Sequence, residues 1–290
     1  MTGARARGEP EIIVAADENA ASDVAAHKVA EALAVAVAAR GRADWVTTGG
    51  STPTGIYHRL AVELRDALPW DAVHVWWGDD RYVPRDHPMS NVLPVDQVLI
   101  GAAAYSGQSG RGESGIDIVA GIEAGVPIPV QNLHPIPMAE AIGEGRGPAW
   151  AAARYDGELR GRAAAGDLAV ADGFPVFDLA LVGMGRDGHV LSVFPDSPTW
   201  DAEAWAIDVP APTHVEPHVP RVTLHPAILG ATRQLLAVAH GSPKAQIVAT
   251  VLGPRRDPKR WPVQAARREG ATWILDTAAA AYLDRRAPRD

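Results

Sequence analysis

Short apolar runs recur along the chain, each closed by a glycine- or proline-rich break, with helical periodicity between them. That alternation predicts an α/β protein with an open, mostly parallel, Rossmann-like sheet flanked by helices. Strands are expected at 11–16, 45–48, 73–77, 177–182, 221–225, 234–239 and 273–276, and an extended piece at 132–137, where prolines exclude helix. The pattern predicts a long Ala-rich helix over 22–39, capped by Ser22, with Val24, Val29, Leu33 and Val37 on its inner face and Gly41 as its stop. A second helix is expected over 148–162, resting on Trp150, Tyr155 and Leu159, and a closing one over 277–283. Periodicity fades over 101–130, which reads as a surface insertion with a weak hairpin edge over 115–130, and residues 1–10 read as a loose leader to a single domain spanning 1–290.

The chemistry-bearing residues fall just past the ends of these strands. After 177–182 the chain breaks at Gly183 and Gly185 and then presents Arg186, Asp187 and His189. Ligands of open α/β sheets sit at the carboxyl ends of strands, and the flexible Gly188 lets the two flanking side chains converge on one pocket. The string alone is equally compatible with a surface turn and a solvated histidine. After the strand at 45–48, Gly49 and Gly50 turn the chain into a helix that Ser51 or Thr52 would cap, with Pro53 in its first turn. Exposed N–H groups beside two hydroxyls make an anion site, with phosphate the expected guest and an ordinary capped turn the alternative. This turn carries neither the P-loop lysine nor a GxGxxG fingerprint. Asp79, Asp80 and Arg81 follow another strand, as an Asp–Arg pair holding a loop or as substrate contacts. Arg221 opens a strand, and Lys244 sits behind a Ser242 cap and Pro243, where a cation opposes the helix dipole and calls for an anion. The HVEPH string at 214–218 only superficially suggests zinc: Pro217 interrupts it and the HExxH spacing is missing, so no metal is expected.

Composition narrows the choices. With 290 residues, 47% of them apolar, the chain has material for a sizeable core. The absence of cysteine excludes disulfides and thiolate chemistry. A net charge of −8 argues against nucleic acid or an anionic membrane as partner, and no apolar run is long enough to span a bilayer, so a cytoplasmic protein is expected.

GGSTP at 49–53, DDR with VP at 79–84, SN at 90–91, NLHPIP at 132–137, GMGRDGHVLSVFP at 183–195, RVTL at 221–224, GSPKA at 241–245 and the terminal WILD resemble, in order, the 6-phosphogluconolactonase family. The resemblance implies the glucosamine-6-phosphate deaminase and ribose-5-phosphate isomerase kind of fold. It also implies hydrolysis of 6-phospho-D-glucono-1,5-lactone to 6-phosphogluconate in the oxidative pentose phosphate pathway. His189 would be the general base, Asp187 its orienter and Arg81 a substrate or oxyanion contact. Gly49, Gly50, Ser51, Thr52, Arg221 and Lys244 would hold the phosphate, with no metal or organic cofactor. The expected partner is a sugar phosphate lactone, on a monomer or weak homo-oligomer. Asp80 stands where the family has Glu, Met89 where it has Asp, Leu191 where it mostly has Ala, and the 101–130 insert is longer than usual. A glucosamine-6-phosphate deaminase or isomerase is the alternative enzyme, but the deaminases carry a carboxylate five residues after the histidine, where this chain has Phe194. A non-catalytic sugar-phosphate sensor is the alternative outside catalysis.

Overall fold

The computed structural model describes residues 8–101 and 125–283. Its centre is a seven-stranded parallel sheet in the order β1-β12-β11-β8-β2-β3-β5. These strands are β1 (Glu11–Ala15), β2 (Ala43–Thr47), β3 (Val73–Trp77), β5 (Leu133–His134), β8 (Leu179–Val182), β11 (Gln234–Ala239) and β12 (Ala271–Asp276). Every residue of β2 and β8 is buried, as a strand covered on both faces requires. From β2 the chain builds outward through β3 and β5; it then returns to lay β8 on the other side of β2 and builds outward again through β11 and β12. The reversal between β2 and β8 is the switch point at which such sheets bind ligands.

A smaller antiparallel sheet, β4-β10-β9, is formed by β4 (Asp79–Arg81), β9 (Ala206–Val209) and β10 (Arg221–Leu224). The segment 79–81 is thus a strand rather than a loop; nothing apolar in it signals this, because pairing with β10 creates it. A hairpin of β6 (Ala169–Ala171) and β7 (Phe174–Val176) also carries no sequence signal, since β6 is exposed at every position. Among the described residues the α-helices are α1 (Glu18–Arg40), α2 (Ser51–Val62), α3 (Met138–Gly143), α4 (Pro148–Ala164), α5 (Ala227–Ala231) and α6 (Ala245–Val251). Among the described residues no helix is long and apolar enough to cross a membrane.

Several caps differ from expectation. Helix α1 starts at Glu18, capped by Asp17, whose Oδ1 accepts from the Ala20 N–H at 2.8 Å, while Ser22 is buried inside the helix. Gly41 does end it, in the left-handed conformation. Neither Ser51 nor Thr52 caps α2; the cap is Gly50, at φ 88°, and both residues lie in the first turn. Ser242 likewise forms no cap: residues Ser242–Lys244 make a 3₁₀ turn after Gly241, and α6 begins only at Ala245. Residues 277–283 form turns, not a helix. Most of the 101–130 insertion, the 1–7 part of the leader and the side chain of Ser51 lie outside the described residues.

One hydrophobic core runs through the large sheet, with Trp45, Trp76, Trp77 and Trp273 fully buried in it. Charge gathers at the amino ends of the strands. Asp178 accepts from Arg40 at 2.6 Å and from the Asp44 backbone N–H at 2.9 Å, and Arg233 lies 3.2 Å away. Arg42 grips Asp44 through two 2.8 Å bonds, and the Trp76 indole donates to the same carboxylate at 2.9 Å. Such bidentate pairs fix geometry as well as charge.

Candidate active site

The opposite, carboxyl end of the sheet holds the chemistry. The loop after β8 closes on itself: the Gly185 N–H donates to the His189 carbonyl at 2.9 Å, and the His189 N–H donates to Asp187 Oδ1 at 3.1 Å. This turn brings His189 Nδ1 to 2.6 Å from the same oxygen. A Cβ on Gly185 would lie 2.0 Å from Nδ1 and 2.4 Å from Oδ1, so the turn admits no larger residue without driving the pair apart. Burial acts to raise the Asp187 carboxyl, but hydrogen bonds and charge from His189, with a further bond from His214, hold it well below the usual carboxylate range. An ionised carboxylate only accepts, so Nδ1 of His189 is the donor in this pair and Nε2 is the nitrogen left for the cleft.

The other end of the cleft is cationic. Register pairs Arg81 of β4 directly with Arg221 of β10, which puts two like charges opposite each other, a costly arrangement without compensation. Arg81 Nη1 donates to the Met89 carbonyl at 2.8 Å, and Arg221 Nη2 donates to the Pro217 carbonyl at 3.1 Å. Each arginine nonetheless keeps a buried Nε with no hydrogen-bond partner among the described residues. Burial pushes the Arg221 guanidinium down, Asp79 acting against it and Arg81 with it. Burial likewise lowers the Lys244 ammonium, and neighbouring Arg186 adds to the effect while Asp187 opposes it. Lys244 Nζ donates to the Met184 carbonyl.

The cleft, of about 220 Å³, is lined by Gly49, Gly50, Thr52, Arg81, His189, Arg221 and Lys244, with Asp187 bonded to His189. The sequence-predicted site residues whose side chains are described are therefore brought together. Asp79, Asn91 and Leu191 line it too. Asp79, read above as either a loop-holder or a substrate contact, accepts from Ser192 Oγ at 2.6 Å and from Asn91 Nδ2 at 3.1 Å. Leu191 has φ 54°, a left-handed conformation that costs a non-glycine residue about 1 kcal/mol or more. The Met89 difference from the family pattern reaches Arg81 only through a backbone carbonyl, where the side chain is immaterial.

A larger cavity of about 690 Å³ includes Asp80, Arg85, Pro135, Met138, Glu140 and Glu158 in its lining. It is the poorer candidate, because Arg85 is held bidentately by Asp96 and Glu158 is paired with His134 at 2.7 Å. Strand alternation turns Asp80 toward it while Asp79 and Arg81 face the smaller cleft. Burial pushes the Asp80 carboxyl from its ordinary 3.8 to about 7. Asp80 therefore costs nothing to the fold below its unfolded value; as pH rises from there to about 7, stability falls by about 1.4 kcal/mol per unit. Asp80→Asn keeps the acceptor for the Arg81 and Asn91 N–H groups and removes this titration. Its unfolding midpoint is expected to exceed that of the unsubstituted protein at about pH 8.5 and to match it near pH 4. An equal or lower midpoint at the alkaline pH would refute the assignment.

The sheet order and the cleft define a doubly wound α/β protein with a crevice lined by cations at its switch point. Residues 16–274 match the family model described as glucosamine-6-phosphate isomerases/6-phosphogluconolactonase. The chain is 32% identical over 249 residues to the 6-phosphogluconolactonase of Synechocystis, covering 86% of this chain and 88% of the relative. It is 31% identical over 281 residues to that of Streptomyces coelicolor, covering 95% of each. The solved 6-phosphogluconolactonase of Trypanosoma brucei superposes with a TM-score of 0.74 over 95% of this chain and 99% of that one, at 24% identity, a likeness of fold. The chain belongs to the glucosamine-6-phosphate isomerase/6-phosphogluconolactonase family.

Proposed function

We propose that the chain is a 6-phosphogluconolactonase, hydrolysing 6-phospho-D-glucono-1,5-lactone to 6-phosphogluconate. The observation that carries this reading is one cleft holding two arginines whose buried Nε donors lack partners among the described residues, together with an imidazole held through Nδ1 by Asp187. In it, Arg221, Lys244 and the start of α2 at Gly50–Thr52 hold the phosphate dianion. His189 Nε2 takes a proton from water as the water oxygen adds to the lactone carbonyl, and Arg81 faces the developing oxyanion. The tetrahedral intermediate then expels the ring oxygen, which receives that proton from the imidazolium. The chemistry calls for no metal or organic cofactor.

A deaminase or isomerase reading is disfavoured by Phe194, whose ring stands 4.9 Å from that of His189 at the position where a ring-opening carboxylate is expected. Fresh lactone should release acid faster with the protein than by its spontaneous hydrolysis, while glucosamine 6-phosphate should yield no ammonia. Acid release at only the spontaneous rate would overturn the proposal.

A further inference from the structure

The mechanism uses one oxygen of Asp187 and leaves the other to be explained. Oδ1 serves His189; Oδ2 lies 3.2 Å from Nε2 of His214, the first residue of the HVEPH string. His214 belongs to the segment between β9 and β10, and that segment is tied at several points. His218 Nδ1 pairs with the Pro212 carbonyl at 2.6 Å, Arg221 donates to Pro217, and the His214 ring meets Phe194 edge-on at 5.7 Å. Phe194 also touches His189 and lies 5.4 Å from the Arg221 guanidinium, so one aromatic ring joins the base, the phosphate-side arginine and His214. The His214 side chain is 52% exposed. Burial therefore does not account for its position, and among the described residues its polar side-chain contact is the carboxylate.

We propose that His214 is a positioning residue for the lactonase reaction, gripping Asp187 from the side opposite His189. A carboxylate held through one oxygen swings about a broad terminal torsion; held through both, it is fixed, and His189 is fixed with it. The ionised carboxylate requires a donor, and His214 supplies one through Nε2–H whether neutral or protonated, so the grip persists in either state. The result is a His–Asp–His relay in which only the inner imidazole faces the cleft. The segment following β9 thereby contributes to the chemistry without touching the substrate.

This inference rests on the lactonase reading, and the test separates the two. His214→Phe is expected to lower kcat about tenfold, the worth of one hydrogen bond to a charged group, with KM within about twofold. His214→Gln, whose amide nitrogen reaches the place of Nε2, is expected to restore kcat to within about threefold of the unsubstituted value. In an Asp187→Ala background, His214→Phe should cost nothing further, because the grip has lost its object. The proposal is overturned by an unchanged kcat in His214→Phe, by a Gln variant as slow as the Phe variant, or by losses that multiply in the double variant. The proton on His189 Nδ1, followed by NMR in ¹⁵N-histidine-labelled protein, should shift in His214→Phe and return in His214→Gln. Identical resonances in all three proteins would overturn the proposal without reference to turnover. Absence of lactone hydrolysis by the unsubstituted protein would instead refute the functional reading.

Discussion

Replacing His189 by alanine is expected to lower kcat by about 10²- to 10⁴-fold, the usual worth of a positioned general base, while KM changes little. The split follows from the layout of the cleft, where the imidazole stands at one end and the cations that would hold phosphate at the other. The loop itself survives the substitution, since its closing bonds run from the Gly185 N–H to the backbone carbonyl of residue 189, and from that residue's N–H to Asp187. A second variant separates base from scaffold. His189→Asn retains a donor toward Asp187 but has no basic nitrogen facing the cleft, so it should be as slow as alanine with an unfolding midpoint closer to that of the unsubstituted protein. Initial rates on freshly made lactone, corrected for spontaneous hydrolysis, decide the matter. A kcat within about threefold of the starting value in either variant would remove His189 from the mechanism.

Arg221→Gln should act on the opposite variable. A desolvated guanidinium facing a phosphate dianion makes the strongest kind of hydrogen bond available to the site, and its loss is expected to reduce kcat/KM by about 10- to 150-fold, mainly through KM. Glutamine keeps a donor for the Pro217 carbonyl and relieves the opposition between Arg221 and Arg81 across the strand pair, so the local fold should hold. The diagnostic comparison is unphosphorylated glucono-1,5-lactone. If Arg221 reads phosphate, the two proteins should hydrolyse that substrate at the same low rate. An equal loss on both lactones would place the arginine at the reacting carbonyl instead.

The large sheet was legible because its strands are apolar runs with clear punctuation: 73–77 and 234–239 match β3 and β11 to the residue. The small sheet was not, for β4 is Asp-Asp-Arg and exists only because β10 pairs with it. In α1 an alanine-rich sequence blurred the periodicity. Ala21, Ala25, Ala32 and Ala36 form much of the buried face, and Val24 and Val37 are only partly covered. At the site, glycine-bounded loops revealed His189, Gly50 and Lys244, since a backbone that must turn sharply after a strand leaves a visible mark. His214 left none. Its partner is a carboxylate 27 residues away, and the motif containing it was weighed only as a zinc pair and set aside; the fold gives it a hydrogen bond.

All seven strands of the large sheet run the same way, so the ionic clamps around Asp44 and Asp178 and the loops carrying His189 and Lys244 leave from opposite edges. One rim of the molecule is riveted and the other is written upon. Substitutions that retune the reaction have the full thickness of the sheet between them and the joints that keep the chain folded. An architecture of this kind lets its chemistry diversify while the frame is left untouched.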